Sequence, residues 1–157
     1  MDVSAAVNKR SSIRQFRPDS VSDDVLRGLL ADASRAPSGG NLQPWRIYVV
    51  NGNSMNKLRE FLPTQPPLDE PEYDIYPKGL SEPYRTNRFG IGEQMYATLG
   101  IEREDKAGRQ RQFAHNNDFF GAPAAIFCYV DRQMGLPHWS ALGMFLPTFM
   151  LLAVEQG

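Results

Sequence analysis

Cysteine is nearly missing from this 157-residue chain: a single residue, Cys128, excludes an internal disulfide and any thiolate-rich zinc site. It lies in the apolar run from Ala124 to Val130 and reads as a small buried hydrophobe. Histidine is almost as scarce. His115 and His138 are the whole supply, too far apart in sequence to argue for a metal, so no metal site is expected. Neither sign of charge dominates: 18 acidic residues face 17 Lys and Arg for a net charge of −1, with the signs interspersed. That balance removes the electrostatic reason to expect nucleic acid or an anionic membrane as partner. The N-terminus has no basic segment followed by an apolar core, so no secretory signal is expected and the cytoplasm is the predicted location. No nucleophile stands beside a partner base in a readable motif, and no catalytic side chain is nominated.

What is present has the size of one domain, with no linker composition between two. Val3, Ala6 and Val7 suit a short helix over Asp2 to Lys9. A better-marked helix follows, with Ser22 as N-cap, Asp23 and Asp24 in the first turn, and Val25, Leu26, Leu29, Leu30 and Ala33 as its stripe to about Arg35. Trp45 to Val50 is rich in β-formers and ends at Asn51-Gly52, after which Ser54 is placed to cap a helix carrying Met55, Leu58, Phe61 and Leu62. Half of the twelve prolines then fall between Pro63 and Pro83, together with Asp69, Glu70, Glu72 and Asp74. A long loop is expected there, in which Tyr73, Tyr76 and Tyr84 either line a substrate pocket or only pin the loop down. Helical spacing resumes from Tyr84 to Leu99 with Gly100 as terminator. Gly90-Ile91-Gly92 is rejected as a dinucleotide fingerprint, because the third glycine is missing and no strand leads into it. Glu102 to Asn117 reads as a charged helix with Phe113 and Ala114 inward, and Pro123 to Asp131 as a strand buried on both faces. Last comes Trp139 to Val154, apolar almost all round and interrupted by Pro147, which predicts a kinked core or interface helix rather than a membrane span.

Two stretches carry the chemistry. Arg10-Ser11-Ser12-Ile13-Arg14-Gln15-Phe16 sets two guanidiniums and two hydroxyls within five residues, a donor set suited to phosphate or to a carbonyl-rich ring edge. By itself it also reads as a solvated basic turn. Ala36-Pro37-Ser38-Gly39-Gly40-Asn41-Leu42-Gln43-Pro44-Trp45 joins a helix to a strand with adjacent glycines and two short polar side chains. It could cradle a planar polar ligand, but on composition alone a helix C-cap followed by a turn is the favoured reading.

Taken together, and in this order, the two stretches resemble the nitroreductase family of flavoenzymes. The likeness continues through Asn116 to Pro123 and through Trp139-Ser140-Ala141-Leu142-Gly143-Met144-Phe145, in the manner of nitrobenzoate-reductase-like members. The resemblance implies an α+β fold with a mixed central sheet flanked by helices and a long apolar core or interface helix. Only about the first two-thirds to three-quarters of the family's fold is matched. The same resemblance implies FMN bound by Arg10, Ser11, Ser12 and Arg14, and by Pro37, Ser38, Gly39 and Asn41 contributed from the opposite subunit of a homodimer. Asn116 is a further candidate for the pyrimidine edge or a helix cap. Ser11 stands where many members have a second basic residue, and Pro147 where a polar one is usual. The implied reaction is NAD(P)H-dependent reduction of nitroaromatics, quinones or similar acceptors through flavin N5, which asks no side chain to act as acid or base. With two strands legible and an apolar helix last, the alternatives are a catalytically silent flavin-binding module or a helical interaction protein.

Overall fold

The computed structural model describes residues 2–66 and 74–157, so Tyr73 and the acidic residues Asp69, Glu70 and Glu72 lie outside the described part. The chain forms two compact units, the first from residues 1–58 and 120–157, the second from 59–119.

In the first unit, Asp2 caps α1 (Val3–Lys9), its carboxylate accepting from the Ala5 amide at 2.7 Å. Ser22 caps α2 (Asp23–Ala33) as expected, accepting from the Val25 amide at 3.3 Å. The helix stops at Ser34 rather than Arg35, where the Ser34 hydroxyl turns back to the Leu30 carbonyl at 2.7 Å. Strand β1 (Trp45–Asn51) pairs antiparallel with β2 (Ala124–Val130), Trp45 opposite Val130 and Asn51 opposite Ala124. Asn51 fastens the end of β1 to the start of α2, donating to the Val21 carbonyl at 2.7 Å and to Asp23 Oδ1 at 3.2 Å. Next, α3 (Asn53–Phe61) begins one residue before Ser54, which therefore lies inside the helix and is not its cap. Helix α6 (Leu136–Gln156) closes the chain.

The core is where α6 crosses α2 and the sheet. Ala33, Ala36, Trp45, Ala141 and Phe145 form its buried centre, with Ile47 and Cys128, paired across the strands, packed against it. Alanines at 33 and 141 let α2 and α6 approach closely, and the space is filled by Phe145 stacked on Trp45 at a centroid distance of 5.2 Å. Partial burial against this centre raises the pKa of the Cys128 thiol, which disfavours the thiolate. Two expectations need correction. Strand β2 is covered on one face only: Phe127 and Tyr129 point away from α6 and are exposed, Tyr129 stacking on Tyr48 at 5.7 Å. An antiparallel pair with one face on a helix needs cover on that face alone. Helix α6 has 21 residues, not sixteen, and is long and apolar enough to cross a membrane by length and composition; in this fold it is the core helix. It also runs on through Pro147, beside which the Thr148 hydroxyl bonds the Met144 carbonyl at 2.8 Å.

In the second unit, α4 (Tyr84–Thr98) ends as expected at Gly100 in the left-handed region, φ 66°, and contains Gly90 and Gly92 in mid-helix. Helix α5 (Lys106–Ala114) is shorter than its charged stretch, because Asp105 caps it by accepting from the Gly108 amide at 2.8 Å. Phe113 and Ala114 face outward, contrary to expectation, Phe113 being 72% exposed. What joins α4 to α5 is polar: Arg109 makes a two-pronged pair with Glu93 at 2.8 and 3.0 Å and lies over the Tyr96 ring at 4.1 Å. Those hydrogen bonds hold the Glu93 carboxyl below its ordinary 4.5. A lowered folded pKa means the ionised form favours the fold, so the stabilisation is present above that value and fades as pH falls through the folded pKa. Glu93→Gln is accordingly expected to flatten the acid-side fall of Tm, measured from about pH 6 to about pH 3. Parallel wild-type and variant curves would show the pair contributes nothing.

Candidate functional site

The two stretches nominated from sequence belong to the first unit, where α6 packs on α1, which leads into the first of them, and on the short turn Gly39–Asn41 of the second, as well as on α2. Helix α1 stops at Arg10, whose backbone turns extended at φ −62° and ψ 124°. Residues 10–16 then run over the surface, exposed throughout. The far end is pinned by the Phe16 amide, which donates to the Phe120 carbonyl at 3.1 Å. That acceptor belongs to a strained turn in which Phe119, Phe120 and Gly121 all have positive φ, 57°, 54° and 77°. The segment is thus stretched between a helix end and the entrance to β2.

Along this segment the guanidiniums differ in how far they are committed. Arg17 is paired with Asp19 at 2.6 Å. Arg10 and Arg14 have no carboxylate partner among the described residues, Arg14 reaching only its neighbour's carbonyl on Ser12 at 3.4 Å. Ser11 and Ser12 are exposed beside them with hydroxyls uncommitted among the described residues. Open forked donors and hydroxyls on an anchored backbone fit a phosphate.

In the second stretch the backbone does more than the side chains. Only Gly40 of the two glycines has positive φ, at 58°, whereas Asn41 at 55° and Gln43 at 48° adopt the left-handed region without being glycine. Such a conformation is uncommon for glutamine and is held by local bonds. The Ser38 hydroxyl accepts from the Gln43 amide at 2.9 Å, and the Gln43 side-chain amide donates to Asn41 Oδ1 at 3.1 Å. Ser38 is therefore engaged as a brace, and Asn41 keeps its Nδ2 donor. Pro37 and Gly39 are exposed on the same turn. The result is a rigid exposed turn with little side-chain bulk, suited to a flat ligand lying against backbone.

Asn116 lies in the second unit, in the turn after α5, where its amide nitrogen donates to the Phe113 carbonyl at 2.7 Å. That is the helix-end role weighed for it from sequence, and it leaves Oδ1 as acceptor. His115 is engaged with Asp118, Nδ1 to Oδ2 at 2.9 Å. Sequence reasoning missed the Phe119 to Gly121 turn and its bond to Phe16: two consecutive aromatics with positive φ have no local signal, and only Gly121 hinted at a turn.

A family model described as Nitroreductase family matches residues 7–157. The chain is 33% identical to a 4-nitrobenzoate reductase of Pseudomonas putida, covering 99% of this chain and 69% of that protein. It is 32% identical to a nitrobenzene nitroreductase of Ectopseudomonas oleovorans, covering 96% and 68%. Among solved structures it superposes on the FMN and NADPH-dependent nitroreductase NfnB from sphigopyxis sp. strain HMH with a TM-score of 0.94 and 44% identity, over 100% of this chain and 72% of that one. The exposed arginine segment and the braced turn thus sit on a backbone shared along its whole length with flavin-dependent reductases, and the chain belongs to the nitroreductase family.

Proposed function

We propose that this chain is the FMN-binding part of an NAD(P)H-dependent oxidoreductase that reduces nitroaromatics, quinones or related acceptors. Both units are read as parts of one nitroreductase domain. The observation that carries the proposal is the pair of uncommitted guanidiniums, Arg10 and Arg14, on a segment anchored at both ends. Similarity to an FMN and NADPH-dependent nitroreductase at 44% identity supports it. FMN, when bound, would supply the two-electron redox chemistry between NAD(P)H and the acceptor. The protein's work is to bind and orient. Arg10, Ser11, Ser12 and Arg14 would hold the phosphate and ribityl end or the pyrimidine edge, and Pro37, Ser38, Gly39 and Asn41 would lie against the ring; Asn116, on the second unit, stays a separate candidate for the pyrimidine edge.

We assign the braced turn to the flavin of a second copy, in a homodimer located in the cytoplasm. Exposed apolar side chains on α6, among them Trp139, Met144 and Met150, support a subunit contact along that helix. The experiment is direct. Purified protein is expected to be yellow, to bleach with NADPH in the absence of oxygen and to recover its colour on addition of a nitroaromatic. Protein that binds no added FMN overturns the proposal; a flavin that never bleaches leaves the silent flavin-binding module.

A further inference from the structure

We propose that Gln43 is a positioning residue that decides which end of the Asn41 amide, nitrogen or oxygen, the braced turn offers to a flat ligand. This role rests on the flavin reading above and deepens it: the ring edge that meets the turn is a hydrogen-bond acceptor.

Gln43 has φ 48° and stands directly before Pro44, which is buried together with Trp45. The left-handed region is uncommon for glutamine, and a following proline restricts the residue further. Glycine or asparagine enters that region at little cost, so backbone conformation alone gives no reason for glutamine here. Conformations of this kind persist where the surroundings hold them, and they concentrate at ligand clamps.

The side chain supplies the reason. The Gln43 backbone amide donates to Ser38 Oγ at 2.9 Å, a bond open to any residue but proline at this position. Its side-chain Nε2 donates to Asn41 Oδ1 at 3.1 Å, and that bond needs the reach and the donor of glutamine. Asn41 is exposed and is itself in the left-handed region at φ 55°. With Oδ1 drawn toward Gln43, Nδ2 diverges from it in the amide plane and has no partner among the described residues. The turn therefore offers a donor. The rim of an isoalloxazine ring carries carbonyl oxygens, unprotonated nitrogens and a single N–H, so a donor is matched almost everywhere along it. Donation to such an acceptor strengthens as the ring gains electrons, so the contact favours the reduced ring over the oxidised one. In this role Gln43 acts through Asn41 and need not touch the ligand.

The test is a double-mutant cycle read by FMN fluorescence titration of wild type, Gln43→Glu, Asn41→Gly and the double variant. Glutamate accepts but does not donate, so it takes Asn41 Nδ2 and turns Oδ1 outward, whereas Asn41→Gly keeps the positive φ and removes the amide. Gln43→Glu is expected to weaken FMN binding about tenfold or more, and by less than about twofold when combined with Asn41→Gly. Reduced flavin is expected to lose about tenfold more than oxidised flavin, a fall of about 30 mV in the two-electron midpoint potential. Gln43→Gly is expected to weaken FMN binding about threefold to tenfold with Tm near wild type, the relaxed backbone offsetting the freedom glycine adds to the unfolded chain. Unchanged affinity in Gln43→Glu, an unchanged potential, or a loss that persists in full beside Asn41→Gly each overturn the proposal. The last of these is what plain repulsion between Gln43→Glu and the FMN phosphate would give. Should Gln43→Glu fail to fold, the uncharged Gln43→Met takes its place: a loss of affinity that vanishes beside Asn41→Gly supports the proposal, and no coupling overturns it. Wild-type protein that binds no FMN overturns the flavin reading and this role together; wild-type binding without coupling overturns this role alone.

Discussion

Phe145→Ala is expected to cost the first unit about 3–5 kcal/mol, the largest stability loss of any single truncation in this chain. Phe145 is 1% exposed and fills the space between α6, α2 and β1, stacked on Trp45 at 5.2 Å. Its neighbours offer no replacement volume, because Ala33 and Ala141, in the same buried cluster, are already small. Collapse would require α6 to move, and α6 also packs on α1, on both strands and on the turn at 39–41. The cavity therefore remains, adding its own cost to the lost transfer energy. The measurement is Tm, or a urea midpoint, for Phe145→Ala against Val3→Ala at an exposed position of α1 in the same unit, for which a loss under about 1 kcal/mol is expected. Equal losses at the two positions would mean that α6 is not the core helix of this unit.

Local rules carried the sequence reading as far as local chemistry decides structure. The Ser22 cap, the end of β1 at Asn51-Gly52 and the terminator at Gly100 were legible because each is settled by a side chain and its own turn. The inward positions of α5 were not, since its contact with α4 is the polar pair of Arg109 and Glu93 while Phe113 of its apolar residues is exposed. For β2, an unbroken apolar run did not distinguish burial on two faces from burial on one, and Phe127 and Tyr129 lie on the exposed face. At the candidate site the arginine segment was visible as a donor pattern. Its anchoring was not, because the Phe16 to Phe120 bond joins positions remote in sequence through a turn with no glycine at its first two residues. Likewise Ser38 reads as a ligand donor until Gln43 is seen to adopt positive φ and take its hydroxyl.

The double variant Arg10→Ala, Arg14→Ala is expected to lower FMN affinity by about two to four orders of magnitude while leaving Tm unchanged. Hydrogen bonds to a charged group contribute about 1.5–3 kcal/mol each, and about 1.4 kcal/mol is one decade in affinity. Neither guanidinium supports the fold: both are exposed, Arg10 has no partner among the described residues, and Arg14 makes a single 3.4 Å bond within its own turn. Their truncation removes nothing from the core, in contrast to Phe145. The control is Arg17→Ala, three residues on, whose guanidinium is committed to Asp19 at 2.6 Å and which is expected to bind flavin as wild type does. Flavin fluorescence titrations at low and high salt complete the test, since a phosphate held by exposed cations loses affinity as salt rises. Double-variant affinity equal to wild type would place the phosphate elsewhere on the chain. Equal losses in the Arg17 variant would reduce the effect to general positive charge. A tight wild-type complex, lost in the double variant and kept in Arg17→Ala at constant Tm, assigns the phosphate to the two guanidiniums that the fold itself does not use.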